Sequence, residues 1–213
     1  MVWNRNTSLT RIRASIEATK NVEIREFTRE MTLSNIGIAE AYRVNGVHGY
    51  FDIYNAKDLL GSTETEGERS HQRYLRYLHI FSRVVHQTVL ADTEVFKVDQ
   101  QNERLHLLQF KPYDDEAKRI AKMVSTMRAL RTLLGRVDDL HSELEDARVC
   151  VGVETGIALA VNNGTRGDRE PLFLGYPANH AAKLLRESPG IYLGTKARAC
   201  LGEGFEGDDS TKL

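Results

Sequence analysis

Residues 94–111 read EVFKVDQQNERLHLLQFK: two β-prone runs separated by the polar cluster DQQNE at 99–103. Apolar and β-branched runs around a short polar turn mark a β-hairpin. Working outward, helical patterns flank it on both sides. Over 68–90, Tyr74, Tyr77, Leu78, Phe81, Val85 and Val89 recur at three- and four-residue steps. Over 114–140, Ile120, Met123, Val124, Met127, Leu130, Leu134 and Val137 form one stripe. Both spacings are those of an amphipathic helix. Before the first helix, from Val44, the chain turns Gly-punctuated and β-rich in VNGVHGYFDIYN. After the second, 148–155 and 157–162 read as strands broken at Gly156, followed by a loop GTRGDR at 164–169 and a short strand at 171–174. Residues 177–187 read as a helix with Pro177 in its first turn, 191–193 as a last strand and 196–201 as a short helix.

This order predicts an α+β fold of ferredoxin-like, palm type, βαββαβ, with a mainly antiparallel sheet and helices packed on it. Residues 1–43 form an expected N-terminal helical segment of one or two short helices outside the core. Residues 44–202 are the expected main domain, and 203–213 a polar tail.

With 213 residues, 41% hydrophobic and 28% charged, the composition is that of a globular domain rather than a disordered chain. A formal net charge of −1 supplies no electrostatic footprint for nucleic acid or an anionic membrane. The N-terminus lacks the apolar region of a secretory signal, and no apolar run approaches a membrane span. Cys150 and Cys200 have no metal-ligand spacing and read as reduced core residues of a cytoplasmic protein.

Within 50–54, YFDIY, a side-chain period of two puts Tyr50, Asp52 and Tyr54 on one face and Phe51 and Ile53 on the other. A carboxylate amid aromatic and aliphatic neighbours needs a partner. Asp99 reads as the start of the hairpin turn, where an Asp also serves turn geometry. In a βαββαβ order the two acids are expected to converge at one rim, and a divalent cation resolves the repulsion of such a pair.

These residues resemble the class III nucleotide cyclases. HGYFDIYNAKDL (48–59) is similar to the family's first metal motif, F-x-D-I-x-G-F-T, and FKVDQQNERLHLLQF (96–110) to its second, K-x-x-G-D and an apolar strand. RVCVGVETGIALAV (148–161) resembles R-x-G-I-x-x-G, and LGYPANHAAKLL (174–185) resembles G-x-x-V-N-x-A-x-R-L. The blocks keep the family's order and approximate spacing. The resemblance implies a homodimer with active sites at the subunit interface. It implies two Mg2+ or Mn2+ ions per site, held by Asp52, Asp99 and the Ile53 carbonyl. The backbone amides of Tyr54, Asn55, Ala56 and Lys57 would cradle a triphosphate, and the partner subunit would present Asn179 and Lys183 from one helix face.

The departures are specific. Lys183 stands for the family's Arg, with Arg186 three residues on as a possible substitute; Ala56-Lys57 replaces Phe-Thr; Val98 replaces the Gly before the second Asp. At the two positions where purine cyclases carry polar base readers, this chain has Leu172 and Val95, which cannot hydrogen-bond a purine edge. That pattern is similar to the pyrimidine cyclases of bacterial Pycsar antiphage systems, in which a tyrosine ahead of the first metal Asp approaches the base. Tyr50 occupies that place, as a base contact or as a core aromatic. Lys97 reads as a base or phosphate contact or as a solvated strand lysine, and Arg166 and Arg169 as phosphate contacts or turn residues. His48 and His180, near the expected site, read as packing or surface residues.

The resemblance therefore implies a uridylate cyclase whose cyclic UMP acts on a separate effector protein. A cytidylate cyclase, an atypical adenylate or guanylate cyclase, and a non-catalytic nucleotide-binding domain are the alternatives. The tail lacks the strand pair that carries a further phosphate-binding lysine in family members, which means a different phosphate grip or a chain cut short.

Overall fold

The computed structural model describes residues 4–60, 69–90, 94–140, 147–165, 168–185 and 188–202. Arg166, Arg186 and the tail at 203–213 lie outside them, as does the side chain of Arg169. The element order is α1 (Arg5–Ala18), β1 (Glu23–Glu26), a 3-10 turn (Leu33–Asn35), β2 (Glu40–Ile53), α2 (Ala56–Leu60), α3 (Arg69–Leu90), β3 (Val95–Gln101), β4 (Arg104–Gln109), α4 (Glu116–Leu140), β5 (Val149–Thr165), β6 (Asp168–Leu174), α5 (Tyr176–Leu184), β7 (Gly190–Leu193) and α6 (Thr195–Leu201). The chain forms two compact units: Met1–Val44 with Ala158–Leu174, and Asn45–Ile157 with Gly175–Leu213. Strands β2 and β5 run from one unit into the other.

In the first unit, α1 buries no residue and is capped by the Asn4 side chain on the Thr7 amide. The second expected helix is instead strand β1, pairing parallel to the start of β2 from Glu23↔Glu40 to Glu26↔Arg43. The pairing and the ion pairs of Arg25 with Glu23 and Glu40 override the local pattern, since strand pairing is a tertiary choice. Strands β5 and β6 form a hairpin from Leu159↔Leu174 to Thr165↔Asp168. The expected break at Gly156 is absent. β5 continues through it because glycine alone tolerates its φ of 143° without strain.

In the second unit the sheet runs β3-β4-β2-β5, with β7 parallel to β5 through Cys150↔Gly190 to Val153↔Leu193. The β2–β4 and β3–β4 ladders are antiparallel. One sheet face carries Val47, Phe51, Ile53, Leu105, Leu107, Val149, Val151 and Val153 into a core with the stripes of α3 and α4. α5 packs on the opposite face, where Leu184 and Leu185 meet Cys150, Tyr192 and Tyr50. Cys150 is buried as expected; Cys200 is exposed, because α6 turns Ala197 into the core.

Two glycines let helices approach the sheet on its two faces. A Cβ at Gly49 would lie 2.5 Å from Met123 Sδ and Met127 Cε on α4, and one at Gly152 would overlap the carbonyl oxygen of Ala181 on α5. Methionine tips can yield, but helix backbone cannot without moving the helix. Gly152→Ala should therefore lower unfolding free energy by about 3 kcal/mol and Gly49→Ala by roughly 1 kcal/mol, read by urea denaturation.

Under the α5 face, His48 and His106 are buried with Nδ1 of the first 3.0 Å from Nε2 of the second. Burial pushes His48 down to about 3, and burial together with the neighbouring His48 holds His106 well below the usual imidazole value. Both rings are therefore neutral, one N–H donating to the other ring. Unfolding lets them take up protons below their ordinary value near 6.5, so stability is full above that pH and falls as the medium is acidified towards 3. Between pH 7 and pH 5, His48 alone should cost about 2 kcal/mol, or roughly 4–8 °C in Tm. The measurement is a series of thermal melts across that range, in which His48→Asn flattens the slope.

Candidate active site

β2 delivers Tyr50 and Asp52 to the sheet face opposite α3 and α4, because Phe51 and Ile53 are held in the core at 0% and 2% exposure. The register sets Tyr50 opposite His106 and Phe51 opposite Leu105, so Asp52 comes beside Arg104 at the end of β4. There Arg104 Nε and Nη2 donate to Asp52 Oδ2 at 3.2 and 2.8 Å. The Asp52 side chain is 18% exposed and that of Arg104 58%. A mostly shielded carboxylate is thus met by a cation that remains largely in water.

Glu103, next to Arg104, accepts a hydrogen bond from the Tyr74 hydroxyl of α3 at 3.0 Å. The Tyr74 phenol is raised above its usual range, first by burial, then by the bond to Glu103 and by the charges of Glu103 and Asp52. Two carboxylates, Asp52 and Glu103, therefore stand around one tyrosine at one rim. The sequence reading missed Glu103, Arg104 and Tyr74. The available signal was Asn102, a residue type that tolerates the left-handed conformation and at φ 52° makes the turn just ahead of Glu103.

Asp99 does not begin the turn. It lies within β3, opposite His106, next to a register shift between Lys97 and Asp99. An extra residue in a strand rotates the side chains that follow it. Asp99 thereby joins His106 and Tyr50 in one row across three strands. Tyr50 stacks on His106 with ring centroids 4.1 Å apart and 12° between planes. Burial first, then the charge of Asp99, push the Tyr50 hydroxyl up to about 12, with Arg104 pulling the other way; the group is protonated at neutral pH. Lys97 is turned elsewhere: with Gln100 it lines the cleft against His79, Ser82 and His86 of α3, on the far face from Tyr50.

Around α2 the expected amides divide. The Tyr54 N–H already donates to the Arg148 carbonyl at 2.7 Å, so it is committed within the sheet. Asn55 is buried and its side chain accepts from the Arg148 N–H at 2.7 Å, fixing the turn from β2 into α2. Ala56 and Lys57 open α2, where first-turn amides have no helical partner. Arg148 itself is exposed, paired with Asp58 at 3.0 Å and lying 6.0 Å from the Tyr54 ring.

Asn179 and Lys183 are both exposed on α5, four residues apart. The helix is seated by His180, whose Nδ1 is 3.1 Å from the buried Glu154 Oε2, while Glu154 Oε1 accepts the Ala197 amide at 2.9 Å. Val95 is buried in the α3/α4 core, so it is no base reader; Leu172 on β6 is 42% exposed. Among the described residues no three His, Cys, Asp or Glu side chains cluster as a metal site, and no helix is long and apolar enough to cross a membrane.

No protein-family model matches the chain. It is 41% identical over 206 residues to a uridylate cyclase of Pseudomonas aeruginosa and 31% identical over 230 residues to a uridylate cyclase of a Rhizobium species. These alignments cover 94% and 95% of this chain but 40% and 43% of the relatives, so the chain spans about two fifths of the curated proteins it matches. Among solved structures, a class III adenylyl cyclase-like ATP-binding protein from P. aeruginosa superposes with a TM-score of 0.82 at 40% identity, over 94% of this chain and 44% of that one. The guanylyl cyclase Cya2 superposes with a TM-score of 0.63 at 14% identity, over 78% of this chain and 83% of that one, a likeness of fold. Fold and sequence together place this chain in the class III nucleotidyl cyclase family.

Proposed function

We propose that the chain is the catalytic part of a uridylate cyclase, converting UTP into 3′,5′-cyclic UMP and pyrophosphate. The observation that carries the reading is the 41% identity to a uridylate cyclase over 94% of the chain. The apolar Val95 and Leu172 support it, since neither offers a purine edge a hydrogen bond. Tyr50, stacked and protonated, supports a base contact at the closed end of the row.

The rim fits a divalent cation by its donor set. Asp52 and Glu103 are oxygen donors around Tyr74, and Arg104 already sets a positive charge against Asp52. In this reading Asp52, Glu103 and the Ile53 carbonyl hold two Mg2+ or Mn2+ ions, with Glu103 taking the place first expected for Asp99. Such ions, when bound, lower the pKa of the attacking ribose 3′-hydroxyl and offset charge on the leaving pyrophosphate. The 3′-oxygen attacks the α-phosphorus of its own nucleotide, the α–β bridging bond breaks, and pyrophosphate departs. The free amides of Ala56 and Lys57 receive the phosphates at the start of α2. Asn179 orients the ribose and Lys183 meets the charge developing on the α-phosphate, both from a second copy of the chain, which makes the active form a homodimer. A lysine serves there as a point charge rather than a bidentate grip.

The product then acts as a cytoplasmic messenger on a separate effector protein in antiphage defence. A purine cyclase is the second reading, favoured by the ATP-binding description of the solved P. aeruginosa relative. Incubating the chain separately with ATP, GTP, CTP and UTP in manganese, followed by product mass analysis, should give cyclic UMP as the dominant product. Cyclic AMP or GMP in its place selects the second reading, and no cyclic product from any nucleotide removes both. Asp52→Asn and Glu103→Gln should each lower kcat by on the order of 100-fold or more. Mixing inactive Asp52→Asn with inactive Lys183→Ala should restore turnover, since one of the two shared sites in the mixed dimer is then intact; failure of the mixture while both variants dimerise would falsify the shared site.

A further inference from the structure

We propose that Asp99 is the base-reading residue of the site, its carboxylate accepting the imide N3–H of uracil while the Tyr50 hydroxyl donates to the adjacent carbonyl oxygen. The inference rests on the uridylate cyclase reading above and assigns the recognition that the apolar Val95 and Leu172 leave without a residue.

Geometry carries it. Directly paired residues on antiparallel strands share a sheet face, with Cβ atoms about 4.5–5.5 Å apart. Asp99 pairs with His106 and His106 with Tyr50, so the carboxylate and the phenol flank one imidazole. The register shift beside Asp99 separates its direction from that of Lys97 and Gln100, which line the α3 cleft. The row is stiff, because His106 is buried against His48 and Tyr50 lies flat on His106. Asp99 is half-buried and, among the described residues, its carboxylate makes no hydrogen bond or ion pair; Arg104 is engaged by Asp52. A shielded carboxylate calls for a donor, and here it faces the row that contains the base-contact tyrosine.

The chemistry matches one pyrimidine edge. An ionised carboxylate only accepts, and a neutral phenol next to it donates. Uracil offers a donor, N3–H, between two carbonyl acceptors. Cytosine presents a lone pair at N3, which would face the carboxylate with no proton between them.

The test uses initial rates of the full chain with UTP, CTP and N3-methyl-UTP, for the wild type, Asp99→Ala and the isosteric Asp99→Asn. The wild type should favour UTP over both other nucleotides by at least about tenfold in kcat/KM. Asp99→Ala should lose about tenfold or more on UTP and narrow both preferences towards unity, with an unchanged manganese dependence. Asp99→Asn, which keeps an oxygen acceptor without the charge, should fall between. A wild type that cyclises N3-methyl-UTP as well as UTP overturns the proposal without any variant. An unchanged UTP-to-CTP ratio in both variants overturns it too, as does an equal loss on every nucleotide with a raised manganese requirement, which returns Asp99 to the metal site. In those cases cyclic UMP is still made and the uridylate cyclase reading stands; a wild type that makes no cyclic UMP overturns both.

Discussion

The pairing of β2 with β4 is the constraint on which the site depends. With Tyr50 opposite His106, the alternation of β2 sends Phe51 and Ile53 into the core and leaves Tyr50 and Asp52 on the opposite face. A slip of one residue would invert every side chain, burying an aspartate under α4 and exposing two large apolar groups. Gly49 reinforces that choice, since a Cβ there would push Met123 and Met127 away from the point they cover. Core packing thus decides the direction of groups that themselves contribute little to the core.

The electrostatics of the site form a gradient along that face. At its buried end stand two neutral imidazoles, kept so by desolvation, and the protonated Tyr50 phenol lying against one of them. At its open rim stand Asp52 and Glu103, with Arg104 against Asp52 and Tyr74 bonded to Glu103. A base suits the neutral, stacked end; phosphates and cations suit the rim. The same strands that separate these ends by two residues along β2 fix the distance between them, about 7 Å in an extended strand.

Much of this was legible in the residues. The stripes of α3 and α4 appear as unbroken three- and four-residue spacing, and both helices lie where that spacing puts them. Asp52 was recognisable because a carboxylate within an apolar strand demands a partner, and Tyr50 through the motif that the segment resembles. Other features were not legible. The hairpin turn sits at Asn102-Glu103 rather than at Asp99, because a bulge lengthens β3 by a residue that no local pattern marks. β1 exists only because β2 offers it an edge, and Cys200 is exposed only because Ala197 takes the inward position of α6.

The linear order of apolar and polar residues determined, unaided, the long helices and the main strands, the α+β class and the strand face that Tyr50 and Asp52 share, since each follows from a period of 3.6 or 2 along one segment. Which acid stands beside Asp52, which faces Tyr50 and which lysine is turned away were decided by tertiary structure. Those answers depend on strand register and on a single extra residue in β3, and register is set by side chains packing across strands that lie tens of residues apart in the chain.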